Sequence, residues 1–263
     1  MARAIWQREA GMDDGVRGWS LAWSEEFDGD PGAPADPRIW QMETGAGGWG
    51  NEELQYYTDG SENVFLDGAG HLAIVVRQPD PKLRDGRYSG CAYTSARLIS
   101  KDRVALRYGL VKARIQVPDG RGIWPAFWML GQDIDSAGWP QCGEIDVMEV
   151  LGQDPAVVHG PGYSGAAGVT ASHRAGVSLA AGFHVYCVAW EPSRIRWYLD
   201  DQLYATVVPG DLRGRPWVFD HDCYLLINVA VGGTFPGNPD STVTFPRTML
   251  IDYIRHYTTP APH

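Results

Sequence analysis

No run of roughly 18 consecutive apolar residues occurs in the 263-residue sequence, which leaves no candidate for a membrane-spanning helix. The opening MARAIWQREAGMDDG has no apolar h-region, so the chain as read carries no secretory signal peptide. Either a signal was removed ahead of this Met or export takes another route. Positive charge is also in short supply: 22 Lys and Arg face 32 Asp and Glu, for a net charge of −10. Affinity for a phosphate backbone rests on cationic neutralisation, so nucleic acid is excluded as the expected partner and a neutral ligand is favoured. Cysteine is sparse, with four residues, Cys91, Cys142, Cys187 and Cys223, and no CxxC pair that would point to zinc or redox chemistry. Three of the four sit in apolar runs, where buried free thiols are expected rather than disulfides. Helical periodicity is missing too, and 32 Gly and 18 Pro are spread without forming a linker, repeat or low-complexity tract.

What the chain does contain is strand signal. HLAIVVR (71–77), GLVKARIQV (109–117), FHVYCVAW (183–190), RIRWYLD (194–200), YLLINVAVGG (224–233) and MLIDYIRHY (249–257) are β-branched or aromatic, and turns rich in Gly, Asp and Pro separate them. A hydrophobic content of 44% over this length fills one large all-β domain, expected to span 1–263 with residues 1–18 as an N-terminal extension. The pattern fits two packed antiparallel sheets or a barrel, and does not separate them.

Tryptophan is abundant, with 11 residues. Trp40, Trp49, Trp124, Trp128 and Trp139 lie in or beside Gly/Pro-containing segments, where a ring is placed to line a cleft. An indole offers a flat apolar face and one N–H donor, which suits a sugar ring with C–H bonds on its face and hydroxyls at its edge. Trp190 and Trp197, inside regular strands, read as core.

The segment GWPQCGEIDVMEVLG (138–152) concentrates the chemistry. Side chains alternate along a strand, so Glu144 and Asp146 share one face while Ile145 and Val147 take the other. Strict alternation would put Met148 rather than Glu149 beside the acids. Two successive apolar residues, Val147 and Met148, are what a β-bulge looks like in sequence, and one extra residue returns Glu149 to the face of Glu144 and Asp146. A solvated outer face would also carry three acids, but here every alternate position is apolar, the aromatic GIWPAFWML precedes, and no Lys or Arg lies nearby. A calcium cluster would need more converging oxygens than one strand supplies. Two carboxylates across a glycosidic bond are the minimal apparatus for its hydrolysis, and a third between them adjusts charge and proton affinity.

These motifs identify the chain as resembling glycoside hydrolase family 16, in its bacterial laminarinase (endo-β-1,3-glucanase) branch. The resemblance runs through SEEFDG (24–29), GWGNEELQYYT (48–58), SARL (95–98), WPAFWML (124–130), GEIDVMEV (143–150), HGPGYSG (159–165), NVAVGGTFPG (228–237) and IDYIRHY (251–257). It implies a β-jelly-roll sandwich with a concave sheet forming a glucan cleft. It assigns Glu144 as nucleophile, Asp146 as assisting acid and Glu149 as acid/base. Trp124 and Trp128 become the platform near the cleaved sugar, with Trp49, Asn51 and Arg97 toward the non-reducing side and His159 in the cleft. Met148 separates the sequence from lichenase-like relatives with an unbulged motif. Phe235 stands where many relatives carry Trp.

The resemblance further implies no cofactor for catalysis and a structural Ca2+ on Glu26, the Gly70 carbonyl and Asp252. The expected partner is a β-glucan polysaccharide or oligosaccharide, bound by a monomeric, extracellular protein with no role for nucleic acid or membrane. A hydrolase of mixed-linkage β-glucan or of a galactan is the alternative substrate reading, and a non-catalytic β-glucan-binding module the alternative class.

Overall fold

The computed structural model describes residues 18–160, 163–164 and 167–259. Two antiparallel sheets face one another. One runs in the order Gln202–Val207, Arg194–Leu199, His184–Glu191, Gly109–Gln116, Arg247–Thr258, Leu72–Val76 and Val64–Leu66, with Ser20–Glu25 also pairing along Arg247–Thr258. The other centres on Glu144–Val150, Ile123–Gly131 and Cys223–Val231. It continues through Arg97–Ile99 to Gln41–Glu43 on one side, and through Tyr163–Ser164 and Ala167–Gly168 on the other. The hairpin partner Val157–Gly160 pairs with Glu144–Val150 and with Ala171–Arg174. Each of the six β-rich runs of the sequence coincides with a strand, and the two-sheet arrangement resolves the choice between sandwich and barrel in favour of the sandwich.

The core lies between the sheets. Ile74, Val111, Ile115 and Val188 from one sheet pack with Phe127, Met129, Ile145, Val147 and Ile227 from the other, all buried. Trp190 and Trp197 belong to this core, each with its indole N–H bonded to a backbone oxygen, of Phe219 at 2.9 Å and of Asp146 at 2.8 Å. A buried N–H needs such a partner, because leaving it unpaired forfeits its hydration with nothing in return. The expected free thiols are found: none of the four cysteines is bridged, and Cys142, Cys187 and Cys223 are buried.

Three features depart from the strand pattern. A short parallel pair joins Gln55–Tyr57 to Tyr93–Ser95 outside both sheets. Helices occupy Pro81–Arg87 and Ile134–Ala137, each too short to leave a readable period in sequence. Trp40, expected in the cleft, is 2% exposed and stacks on Phe27 inside the core.

Candidate active site

The acidic strand is anchored by its neighbours. Gly143, with φ of +74°, turns the chain into the strand, a conformation that costs glycine little. Pairing with Ile123–Gly131 then runs Glu144 to Leu130, Ile145 to Met129 and Asp146 to Trp128, skips Val147, and resumes with Met148 to Phe127 and Glu149 to Ala126. This is the expected bulge. Ile145, Val147 and Met148 all enter the core, while Glu144, Asp146 and Glu149 all border one cleft of about 850 Å³. The Asp146 carbonyl at the bulge accepts the indole N–H of Trp197 from the opposite sheet. Gly160 makes room for that contact: a Cβ there would stand 3.0 Å from the Trp197 ring, 2.9 Å from the Tyr204 hydroxyl and 3.2 Å from the Asp146 carbonyl. The bulge is therefore clamped from beneath by the core.

Burial dominates the electrostatics of the three acids. It pushes Glu144 up to about 7, against the Trp139 hydrogen bond and the positive charge of Arg97. Glu149 rises to about 7 through burial and then the charge of Glu144, opposed by its bond from Trp124. Asp146 is raised well above its usual range by burial and by both glutamate charges. Arg97 favours the anion at Glu144, and that anion disfavours a second at Glu149. The surroundings thus favour the anion at Glu144 and a retained proton at Glu149.

Each glutamate receives an indole N–H: Trp139 Nε1 donates to Glu144 Oε2 at 3.0 Å, and Trp124 Nε1 to Glu149 Oε1 at 2.9 Å. The two donors differ in setting. Trp124 lies in the sheet with its ring edge-on to Phe235, whereas Trp139, after a short helix, is 54% exposed and borders the cleft. Trp128 donates to Asn228 Oδ1 at 2.8 Å, and the Arg97 guanidinium lies over both Trp128 and Trp49, at 4.9 and 5.0 Å from the ring centres. Arg97 Nε donates to Glu43 Oε2 at 2.5 Å.

The remaining residues expected in the cleft also line it. Asn51 and Trp49 border the cleft, and His159 pairs in register with Glu149, its ring edge-on to Phe235. Burial lowers the His159 pKa, so its imidazole is neutral at pH 7. Phe235 thus does keep aromatic contact, with Trp124 and His159. Pro161, Gly162 and Gly165 of the HGPGYSG motif lie outside the described residues.

The calcium expectation does not fare as well. Both oxygens of Glu26 accept from Arg255, at 2.8 and 2.7 Å, and Asp252 Oδ2 accepts from Arg114 at 2.6 Å. Guanidinium groups hold the two side-chain donors and would repel a dication, so this donor set does not fit Ca2+ as arranged. Among the described residues, no group of three or more His, Cys, Asp or Glu side chains is placed to hold a metal.

Sequence reasoning missed Glu43, Glu53 and Asn228, which form the polar backing of the cleft. Asn228 did carry a signal, as the one amide within the apolar run YLLINVAV, since a polar side chain buried in a strand needs a dedicated partner.

The family model for glycosyl hydrolases family 16 matches residues 49–254. A β-glucanase of Rhodothermus marinus is 40% identical over 252 residues, covering 91% of this chain and 85% of that protein. Among solved structures, the laminarinase catalytic domain from Thermotoga maritima MSB8 is 44% identical with a TM-score of 0.82, covering 91% of this chain and 98% of that one. The endo-β-1,3-glucanase from Pyrococcus furiosus is 41% identical with a TM-score of 0.83, over 93% and 96% of the two chains.

Proposed function

The chain belongs to glycosyl hydrolases family 16, and from that premise we propose that it cleaves internal β-1,3-glucosidic bonds of laminarin-type and curdlan β-glucans with retention of configuration. The observation that carries this reading is the bulged strand, which sets Glu144 and Glu149 on one wall of a cleft flanked by indoles. A flat aromatic wall stacks on neutral sugar rings, and an open cleft admits a polymer between its ends. The names of the two similar solved structures, a laminarinase and an endo-β-1,3-glucanase, support the β-1,3-glucan assignment.

In the first step Glu144, ionised beside Arg97, attacks the anomeric carbon while Glu149 passes its proton to the departing glycosidic oxygen. The product is a covalent glycosyl ester on Glu144 and a shortened glucan. Loss of the Glu149 proton leaves a base there, which takes a proton from water as that water displaces the ester. Asp146, whose proton affinity is raised by burial and by both glutamate charges, stands between the two glutamates and adjusts the charge of the site. A binding-only role does not account for three buried acids, since a neutral glucan needs none of them and their burial is unfavourable to folding. A polymeric substrate places the work outside the cell.

Digestion of laminarin, curdlan, lichenan and agarose, with products sized over time, tests the proposal. A rapid fall in the chain length of laminarin and curdlan, with agarose untouched, is the expected result. Cleavage confined to lichenan or agarose would move the activity to the mixed-linkage or galactan class, and release of single sugars alone would overturn endo action.

A further inference from the structure

Glu53 sits on the loop that bridges the 3-10 turn Gly48–Gly50 and the strand Gln55–Tyr57. The loop is stitched to the cleft floor by backbone bonds from Leu54 N to the Val231 carbonyl at 2.7 Å and from Thr234 N to the Asn51 carbonyl at 2.9 Å. The Glu53 side chain is buried at the cleft edge and accepts three hydrogen bonds. Asn51 Nδ2 donates to Oε1 at 3.2 Å, and Gln55 Nε2 and Tyr57 Oη donate to Oε2 at 2.6 and 3.1 Å.

The bonds beyond it all point the same way. Because Tyr57 spends its proton on Glu53, its oxygen accepts from Asn228 Nδ2 at 3.1 Å. That fixes the Asn228 amide with its oxygen toward Trp128, whose Nε1 donates to it at 2.8 Å. An ionised carboxylate only accepts, so it sets the polarity of the whole chain of donors. Trp128 in turn is one of the two rings that hold Arg97, and the other, Trp49, packs edge-on against Tyr57 at 5.1 Å.

We infer that Glu53 is a positioning residue for glucan binding, orienting Asn51 directly and the Trp128 indole through Tyr57 and Asn228. The inference rests on the reading of this cleft as the glucan site. An amide at position 53 has the same shape but accepts at only one of its two ends. Oε2 takes both Gln55 and Tyr57, so the amide keeps its oxygen there and sets its nitrogen against Asn51 Nδ2. Two donors face to face repel, so Asn51 loses its setting in Glu53→Gln, whereas Tyr57→Phe cuts the relay to Asn228 and the Trp128 indole. The groups that touch the reacting atoms, Glu144 and Glu149, are not bonded to this chain.

The test compares wild type with Glu53→Gln and Tyr57→Phe on laminarin. For Glu53→Gln the expected result is a KM raised about tenfold with kcat within about threefold of wild type, the signature of lost binding shared by ground and transition states. Tyr57→Phe keeps the ring and removes only the relay, and is expected to raise KM about threefold with kcat unchanged. Kinetic constants equal to wild type in both variants, or a fall in kcat at constant KM, would overturn the inference. Should Glu53→Gln fail to fold, Tyr57→Phe decides by the same readout. Wild type inactive on laminarin would remove the reading of the cleft and this inference with it, whereas active wild type with unaffected variants overturns the role of Glu53 alone.

Discussion

Two groups of buried carboxylates share this cleft and are treated in opposite ways. Glu53 is surrounded by donors, with an asparagine, a glutamine and a tyrosine bonded to it. Glu144 and Glu149 each take one indole N–H and are crowded by each other and by Asp146. Burial disfavours the anion at every one of these sites. At Glu53 the hydrogen bonds work against that effect and yield an ordered anchor. Along the acidic strand the shortfall is left standing, which suits the proposed roles of Glu149 as proton donor and Glu144 as nucleophile. Reactive groups here are those the fold declines to satisfy, a pattern in which pKa values near neutrality mark acid/base work.

The contrast is sharpest when a starved carboxylate is removed. Glu144→Ala is expected to lower turnover on laminarin by at least about three orders of magnitude, as loss of a covalent catalyst does. Added azide should restore part of the rate and yield an α-glycosyl azide. Activity within tenfold of wild type would strip Glu144 of its role. Adding one residue beside Met148 should be as damaging by a different route, because it turns Glu149 toward the core, where an unpaired carboxylate is costly. Soluble, active protein from that variant would show that the bulge does not set the face of Glu149.

A smaller effect is expected when the clamp beneath the bulge is loosened. Trp197→Phe keeps an aromatic ring in the core and loses the bond to the Asp146 carbonyl. A fall in kcat of roughly tenfold and a loss of about 1–3 kcal/mol in stability should follow. A loss of stability with kcat intact would confine Trp197 to packing.

Stability against pH separates the two carboxylate groups directly. A folded-state pKa of about 7 against an ordinary 4.5 means that Glu149 favours the fold below pH 4.5 and loses that contribution as pH rises through 7. Glu149→Gln, which has no charge to bury, should therefore melt with wild type at pH 4 and above it at pH 8. The gap should be on the order of 2 kcal/mol, or about 5 °C. Glu53→Gln should show a smaller gain, because the hydrogen bonds to its anion offset part of the burial that raises its pKa. Equal melting of Glu149→Gln and wild type at pH 8 would mean that the acidic strand is as well satisfied as Glu53. The smallest effect is expected from chelation: with Glu26 and Asp252 paired to arginines, EDTA should leave the melting temperature unchanged, and a drop of several degrees would restore the calcium site.

How much of this was legible in the sequence follows from what each feature depends on. The strands, and the bulge at Val147, declare themselves because alternation is a local property and a break in it shows. Trp49, Trp124, Trp128 and Trp139 were found beside the cleft by their Gly- and Pro-rich surroundings, yet the same cue misplaced Trp40, which faces inward onto Phe27. Partnerships between distant segments left no trace. Nothing near Glu26 or Asp252 announces Arg255 or Arg114, and nothing near Glu53 announces Asn228, 175 positions further on. Anchors of this kind are made by the fold, whereas the three acids proposed to do the chemistry lie within one strand.

The central claim is that the bulge makes Glu144 and Glu149 a double-displacement pair. Proton NMR during the first minutes of laminarin hydrolysis tests it, because the anomer released first records the geometry of attack before mutarotation mixes the two. The account predicts the β-anomer as the first signal, with α appearing later at the rate of mutarotation. Initial appearance of the α-anomer would mean a single inverting displacement by water, and would contradict the role given to Glu144.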